Sequence, residues 1–398
     1  MAGGQQVDTK IYSMNDFFCG CGGIGLGFKQ AGFRIAGAWD SNKYAVQTYK
    51  ENVWAGVKQA DIREMDIDDI PKADVWAFGF PCQDLSVAGL KEGMKVICRH
   101  CMTEWQFCTG HEACPSCGKQ GFKAANRSGL FFEVMRLLDQ ARTSSKNKLP
   151  DILMAENVKG LKKYIPMLKE QYKVCGYKTY CILYNSKFWG VPQNRERYFI
   201  IGVKQEIQKD FVFPAEQHVY IPELSSILEN DVDDKFYIPD KKAKIIISQA
   251  LKRLDRLQGC HAVITPGRIS KRQNGRRAKG NEEPMFTLTA QDLHGVIQNI
   301  FLTTDKVAYC CDSSYPKGIG PRTRARRTHV VEYKNEKYLV RKLTPYEYGL
   351  LQGFPMDKWK QTVSDNQAYK LFGNAVTVNV SNAIARAVHL FLKSYERR

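Results

Sequence analysis

The chain has 398 residues, with 59 Lys and Arg against 41 Asp and Glu for a formal charge of +18, and 13 cysteines. That length has room for two or three domains, and the positive balance suits a polyanionic partner. No run approaches the roughly 18 uninterrupted apolar residues of a membrane span, the opening MAGGQQVDTK lacks the apolar region of a secretion signal, and an odd number of cysteines argues for thiols and metal ligands over a disulfide framework, so a cytoplasmic protein with no membrane partner is expected.

In chain order, DFFCGCGGIGLGF (16–28) is the first segment that carries chemistry. An apolar segment gives way to Gly20, Gly22, Gly23, Gly25 and Gly27 and then to a helical pattern. Such glycines let backbone approach a ligand and open a helix N-terminus toward it, although a tight turn alone has the same look. Ile35–Trp39 reads as a strand ending at Asp40. Val75-Trp76-Ala77-Phe78 reads as a buried strand that runs into GFPCQDLSVAG (79–89). A thiol at Cys82, between Pro81 and Gln83 at the end of that strand, is presented to a cleft and reads as a nucleophile.

The segment 96–126 holds Cys98-x-x-Cys101 and Cys114-x-x-Cys117, separated by twelve residues. Two such knuckles fit a tetrahedral structural zinc site, with Cys108, His100 and His111 as competing ligands and reduced, unligated thiols as the alternative. The apolar runs Val75–Phe78, Leu130–Leu138, Ile152–Met154, Thr179–Leu183 and Tyr198–Val203 are strand-like and alternate with helical patterns, which predicts an α/β doubly wound sheet with helices on both faces. Ile152–Met154 would deliver Glu156 and Asn157 at its carboxyl end, where open α/β sheets hold ligands. Arg195 and Arg197 precede and open the Tyr198–Val203 run, and alternation directs both to one face. Taken singly, each has an ordinary explanation: a buried cysteine, a strand-end carboxylate capping a helix, a surface ion pair.

Beyond Val203 the segments become short, polar and basic, and suggest a smaller, irregular second domain. Residues 260–330 carry twelve Lys or Arg against five Asp or Glu, which places positive charge where a polyanion could lie. The stretch Asn379–Tyr395 is apolar at helical spacing and is expected to pack back on the first domain.

Read together, Phe18-x-Gly20-x-Gly22-Gly23, Asp40, Asp61-Ile62, Pro81-Cys82-Gln83, Glu156-Asn157-Val158, Gln193-x-Arg195-x-Arg197, Leu351-Gln352-Gly353-Phe354-Pro355 and Gly373-Asn374-Ala375-Val376 form an ordered series. It resembles the motifs of the C5-cytosine DNA methyltransferases over nearly the whole chain. The resemblance implies a Rossmann-like catalytic and cofactor domain over 1–205 with the cysteine-rich insertion at 96–126, a target-recognition domain over 206–345, a hinge over 346–367, and a C-terminal segment, 368–398, that completes the first domain. Double-stranded DNA would lie between the two domains, bound by a monomer that is paired with a restriction endonuclease in some settings.

The resemblance further implies S-adenosylmethionine as cofactor. Phe18 would stack near its adenine, the backbone at Gly20, Gly22 and Gly23 would admit the methionine part, and Asp40, where the family more often has Glu, would accept the ribose hydroxyls. Asp61, Ile62, Pro81, Leu130, Asn374 and Val376 would close the pocket. Cys82 would add to C6 of a flipped-out cytosine while Glu156 assists at N3, with Asn157 fixing the loop that holds it. One of Arg195 and Arg197, by family analogy Arg195, would contact the O2 side and orient Glu156. Gln83 and Ser86 would touch DNA, Gln273 or Asn274 would pair with the orphan guanine, and Arg276 or Arg277 would read guanine in the major groove or contact phosphate. The rival readings are a transfer-RNA cytosine-5 methyltransferase and a catalytically inactive DNA-binding protein.

Overall fold

The computed structural model describes residues 10–81, 95–106, 113–119, 122–125, 129–144, 148–218, 221–254, 256–270, 275–299, 330–334 and 336–396. Strand β1 (Ser13–Phe17) passes through the glycine turn into helix α1 (Gly23–Gln30), followed by β2 (Arg34–Asp40), α2 (Lys43–Asn52), the short β3 (Lys58–Gln59) and β4 (Val75–Phe78). The insertion contributes β5 (Lys95–Cys98), β6 (Glu104–Gln106) and β7 (Phe122–Ala124), a small antiparallel sheet in the order β6-β5-β7. Then come α3 (Leu130–Thr143), β8 (Ile152–Val158), α4 (Ile165–Val174), β9 (Tyr177–Asn185) and β10 (Glu196–Lys204).

The main sheet has seven strands in the order β3-β2-β1-β4-β8-β10-β9. Pairing is parallel from β3 to β8, whereas β10 runs antiparallel to both β8 and β9. This is a mixed α/β fold. The chain winds outward in one direction through β2 and in the other through β4, so the strand order reverses beside β1. The crevice at the carboxyl ends of β1 and β4 is where such sheets take ligands. Apolar packing covers both faces: Met14, Ile152, Met154 and Ile201 lie in one buried cluster, Trp76, Phe78, Leu153 and Ile200 in the other. Strands buried on both faces need continuous apolar runs, which is why VWAF and ILMA stand out in the sequence.

Leu130–Leu138 corrects one expectation, because it is helical, lying within α3. Phe131, Val134, Leu138 and Ala141 recur at intervals of three and four and are buried, while the single β-branched residue in the run gives a strand little support.

Helix α5 (Asp240–Leu251) and strands β11 (Cys260–Ile264), β12 (His294–Asn299), β13 (Val330–Tyr333) and β14 (Glu336–Lys342) build the second lobe. Its antiparallel sheet has the order β11-β12-β14-β13, over a core of Ile246, Ile247, Val263, Ile297 and Val340. Among its described residues the region expected to be irregular thus holds an α+β unit; its strands are short and widely separated in sequence, which hides their pairing. Helices α6 (Pro345–Leu351), α7 (Asp365–Asn374) and α8 (Val378–Glu396) end the chain. Thr344 and Glu347 cap α6 reciprocally. Helix α8 returns to the first sheet and lies on α1, where Ser381 Oγ donates to Gly23 O at 2.7 Å and Asn382 Nδ2 to Gly27 O at 3.0 Å. No single helix among the described residues is long and apolar enough to cross a membrane.

Candidate active site

A cleft of about 630 Å³ opens at the carboxyl ends of β1, β2, β4 and β8. It gathers side chains that are far apart in the chain: Phe18, Gly20, Gly23, Asp40, Asp61, Ile62, Pro81, Leu130, Glu156, Asn157, Arg195, Arg197, Asn374 and Val376 all line it. Gly22 does not. Its φ of +99° serves the N-cap of α1, and a Cβ there would meet Val53 at 2.5 Å, on the side away from the cleft.

The end of the cleft beside the glycine turn is shaped by backbone. A Cβ on Gly23 would lie 2.1 Å from the carbonyl oxygen of Val376, so only glycine lets the start of α1 meet the 373–376 segment. Phe18 sits in the left-handed region at φ +54°, unusual for an aromatic residue and imposed by the turn out of β1. Asp40 accepts from Gly20 N at 2.9 Å and Asn42 N at 2.8 Å, one on each oxygen. Each oxygen keeps a further lone pair, so the carboxylate is both placed by the turn and able to accept ligand hydroxyls. Burial pushes its pKa up, against those two backbone donors. Asp61 is instead held low by its hydrogen bond to Arg63, whose Nε lies 3.0 Å away. Arg63, Trp39 and Ala125 also line the cleft and went unnoticed in the sequence. Only the neighbouring glycine and aspartate patterns pointed to that region.

Glu156 lies near the end of β8, buried, with Arg197 Nε 3.1 Å from Oε1. Its other oxygen faces Gly79, where an added Cβ would come within 3.4 Å. Burial raises the Glu156 pKa, and the charges of Arg197 and Arg195 work against that rise. A carboxyl group poised in this way can hold or give a proton nearer neutrality than an exposed one. Asn157 Nδ2 donates to Phe80 O at 3.0 Å, tying β8 to the segment that leads into Pro81.

The expectation that Arg195 is the arginine that orients Glu156 is corrected. It is Arg197 that pairs with Glu156, while Arg195, 2% exposed, donates Nη1 to Leu288 O at 3.0 Å and Nη2 to Ala375 O at 2.7 Å and Gly373 O at 3.3 Å. Both side chains reach the cleft, but Arg195 precedes β10 and its guanidinium is drawn to carbonyls from two other segments. Gln193 supports the same seam: its Oε1 accepts from Leu288 N at 3.1 Å and its Nε2 donates to Leu351 O at 2.7 Å. Thr287 Oγ1 donates to Asn194 O, so Thr287 and Leu288 dock the second lobe onto the first.

Cys82, Gln83, Ser86, Gln273 and Asn274 lie outside the described residues, as do Cys108 and His111. Arg276 is exposed and ion-paired with Glu283. Arg277 is directed inward: Nη2 donates to Ile269 O at 3.1 Å and Nη1 lies 3.3 Å from Thr265 Oγ1, so it braces its own lobe.

The four insertion thiols meet. The Sγ atoms of Cys98, Cys101, Cys114 and Cys117 all lie within 4.8 Å of one another, with Cys98 and Cys117 at 3.6 Å and Cys101 and Cys114 at 3.4 Å. Both knuckles have one geometry: Met102 N donates to Cys98 O at 3.2 Å and Gly118 N to Cys114 O at 2.8 Å, and both residues are left-handed, at φ +62° and +66°. Tetrahedral zinc with bonds of about 2.3 Å would set its sulfurs about 3.8 Å apart, so the cluster fits such an ion.

The profile of the C-5 cytosine-specific DNA methylases matches residues 12–100 and 114–389. The type II methyltransferase M.NlaX of Neisseria lactamica is 30% identical, the match covering 98% of this chain and 99% of that protein. The orphan methyltransferase M.SPBetaI of Bacillus phage SPbeta is 28% identical over 94% of this chain and 97% of its own length. In fold, the methyltransferase EhMeth of Entamoeba histolytica superposes with a TM-score of 0.59 at 16% identity, covering 96% of this chain and 99% of that one. With a match that takes in nearly the whole chain and is interrupted only across 101–113, within the cysteine-rich insertion, this protein belongs to the C-5 cytosine-specific DNA methylase family.

Proposed function

We propose that the enzyme methylates C5 of a flipped-out cytosine within a specific sequence of double-stranded DNA, with Cys82 as nucleophile and S-adenosylmethionine as methyl donor. The observation that carries this reading is the buried Glu156–Arg197 pair, set beside Gly79-Phe80-Pro81 and across the cleft from the glycine turn and Asp40. Pro81 lines the cleft, and the next residue in sequence is Cys82.

Cytosine C5 is a poor nucleophile until the ring loses its aromatic character. Addition of the Cys82 thiolate forms an S–C6 bond, shifts the C5=C6 electrons to C4=C5 and those of C4=N3 to N3, and N3 takes the proton held by Glu156. C5 is then the carbon of a neutral enamine. Arg197, on the Glu156 carboxylate, keeps that group oriented and stabilises the charge left after the proton is given. Later loss of the C5 proton, expulsion of the thiolate and return of the N3 proton to Glu156 restore the ring and the enzyme. Removal of the base from the duplex costs a few kcal/mol, which DNA contacts must offset.

S-adenosylmethionine, when bound, supplies an electrophilic methyl group. Asp40 and the turn at Gly20 and Gly23 would hold it, with Phe18, Ile62 and Leu130 along its apolar side. Arg276 is the better placed of the two adjacent arginines to meet DNA, because Arg277 is engaged by its own lobe. Zinc in the Cys98, Cys101, Cys114 and Cys117 cluster would tie the insertion together as a structural ion. A cognate restriction endonuclease is the functional companion, in keeping with the type II methyltransferase name of M.NlaX.

The test is covalent trapping. A duplex carrying 5-fluorocytosine at the target should form a denaturation-resistant adduct with the wild type in the presence of S-adenosylmethionine and none with Cys82→Ser, and bisulfite sequencing of DNA from expressing cells should reveal one methylated motif. Adduct formation by Cys82→Ser, or methylation without sequence preference, would overturn the reading.

A further inference from the structure

The insertion and the cofactor wall of the cleft share a buried carboxylate that the chemistry above leaves unused. Glu133, on α3, is 1% exposed. Its Oε1 accepts from Ala124 N, at the end of β7, at 2.9 Å. Its Oε2 accepts from Arg136 Nε at 2.8 Å and lies 3.7 Å from the guanidinium of Arg99, a residue inside the first Cys-x-x-Cys knuckle. Arg99 Nε in turn donates to Phe122 O at 3.0 Å, so one end of β7 is tied to the knuckle and the other, through Glu133, to α3.

Arg136 continues the chain of contacts into the cleft. Its Nη2 donates to Ile62 O at 2.9 Å and Met65 O at 3.0 Å, and Ile62 and Met65 line the cofactor end. On the other side, Ala125 follows β7 directly, lines the same cleft, and donates its N–H to Lys95 O at 3.0 Å. A buried carboxylate is costly to leave unpaired, so Glu133 fixes the insertion, α3 and the 62–65 segment relative to one another. The packing agrees with the polar network: Phe122 meets Phe132 edge-on at 5.4 Å and Trp105 at 6.0 Å.

We propose that Glu133 is a positioning residue that transmits the metal-held fold of the cysteine insertion to the cofactor wall, making affinity for S-adenosylmethionine depend on the metal. This rests on the metal reading given above. The knuckle orients Arg99 and β7; β7 and Arg99 orient Glu133; Glu133 orients Arg136, which holds the carbonyls behind Ile62. Loss of the ion releases the first of these constraints, and Ala125 and Ile62 lose their fixed separation. The family match breaks off only across 101–113, between the two knuckles, whereas Arg99, β7, Glu133 and Arg136 all lie within its two matched stretches.

The experiment compares four full-length preparations: wild type and Glu133→Gln, each with its metal and after removal by a chelator. Metal content is measured by atomic emission, S-adenosylmethionine affinity by calorimetry, and kcat at saturating cofactor. Stripping the wild type should weaken cofactor binding about tenfold, in the ordinary range of coupling between sites. Glu133→Gln should show a similar loss with its metal fully bound, kcat should change far less than Kd in both, and stripping the variant should add less than about a further twofold. A metal-bearing wild type whose Kd is unchanged by stripping overturns the inference and leaves the metal reading standing. Losses that multiply in the stripped variant overturn the route through Glu133. A preparation that never carries metal overturns both readings. Should the stripped protein aggregate, metal-bound Glu133→Gln decides: weakened binding at an unchanged melting temperature supports the relay, and wild-type affinity overturns it.

Discussion

The carboxyl edge of the seven-stranded sheet and the exposed Arg276–Glu283 pair of the second lobe hold their charged side chains in opposite ways. On the sheet edge each is buried or held by more than one group: Glu156 is buried on Arg197 near the end of a strand, Asp40 is held by two backbone amides and Arg195 by three carbonyls. In the second lobe Arg276 stands exposed with a single partner, Glu283. The difference follows from what each must do. Groups that act on a reacting ring must be placed before the substrate arrives, since reorganisation would add to the barrier, whereas contacts to a polyanion tolerate freedom and gain from long-range attraction.

On that contrast, substitutions on the sheet edge should have large, specific effects. Glu156→Gln keeps the shape and loses the proton, and should lower kcat by about 10²–10⁴ while cofactor affinity stays within about twofold. Single-turnover methylation and calorimetry on one preparation check both. A loss of only a few-fold would make Glu156 a structural group and erase the distinction between the two regions.

Arg195 and Arg197 sharpen it within one motif. Arg195→Ala strips donors from the carbonyls of Leu288, Gly373 and Ala375, and with charged hydrogen bonds worth about 1.5–3 kcal/mol each, urea denaturation should show a loss of roughly 3 kcal/mol. Arg197→Ala should cost less stability and more rate, because the partner it abandons is Glu156.

The distinction between these arginines was beyond the sequence. Alternation placed both on one face but could not tell which would reach a carboxylate two strands away in the chain and which would be captured by the 288 and 373–375 carbonyls. Glu156, Asn157 and Asp40 were legible because each ends a short apolar run, and a run buried on both faces announces its own end. Leu130–Leu138 was misread as strand-like because its run is so densely apolar that the helical spacing shows only when Glu133 and Arg136 are set against it. Arg63 and Ala125 gave no signal, since only the reversal of strand order brings their segments to one cleft. The cysteine pairs were readable from spacing alone; the carboxylate joining them to α3 was not.

The pH dependence offers a smaller, graded test. Burial raises the Glu156 pKa, so the folded protein keeps this carboxyl protonated to a higher pH than an exposed glutamate would. As pH rises through that raised value the proton is lost, and kcat/KM should fall about tenfold per pH unit on this limb. Glu156→Gln should lack the limb. Arg197→Ala removes the charge that most opposes the rise, so its limb should move to higher pH. A limb unmoved in Arg197→Ala would mean that another group titrates. The same shift predicts lower stability at higher pH, because the neutral form is the one the folded state favours: the contribution is present below the ordinary carboxyl range and is lost as pH rises through the raised value.

The smallest effect belongs to the second lobe. Arg276 and Glu283 are 43% and 37% exposed, and a pair so open to solvent is worth about 0–1 kcal/mol, so Arg276→Ala should leave the urea midpoint nearly unchanged. Its effect should appear in DNA binding, and the form of that effect separates two roles. A phosphate contact would weaken binding to all sequences alike and reduce the slope of log affinity against log salt by about one. A base contact would cost about 1–3 kcal/mol on the preferred motif alone and relax the preference there. Glu283→Gln supplies the control, since it removes the charge that holds Arg276 and keeps an acceptor for Gly280 N: tighter binding with an undiminished salt slope would show that the carboxylate competes with DNA for this guanidinium, and unchanged binding would show that it does not.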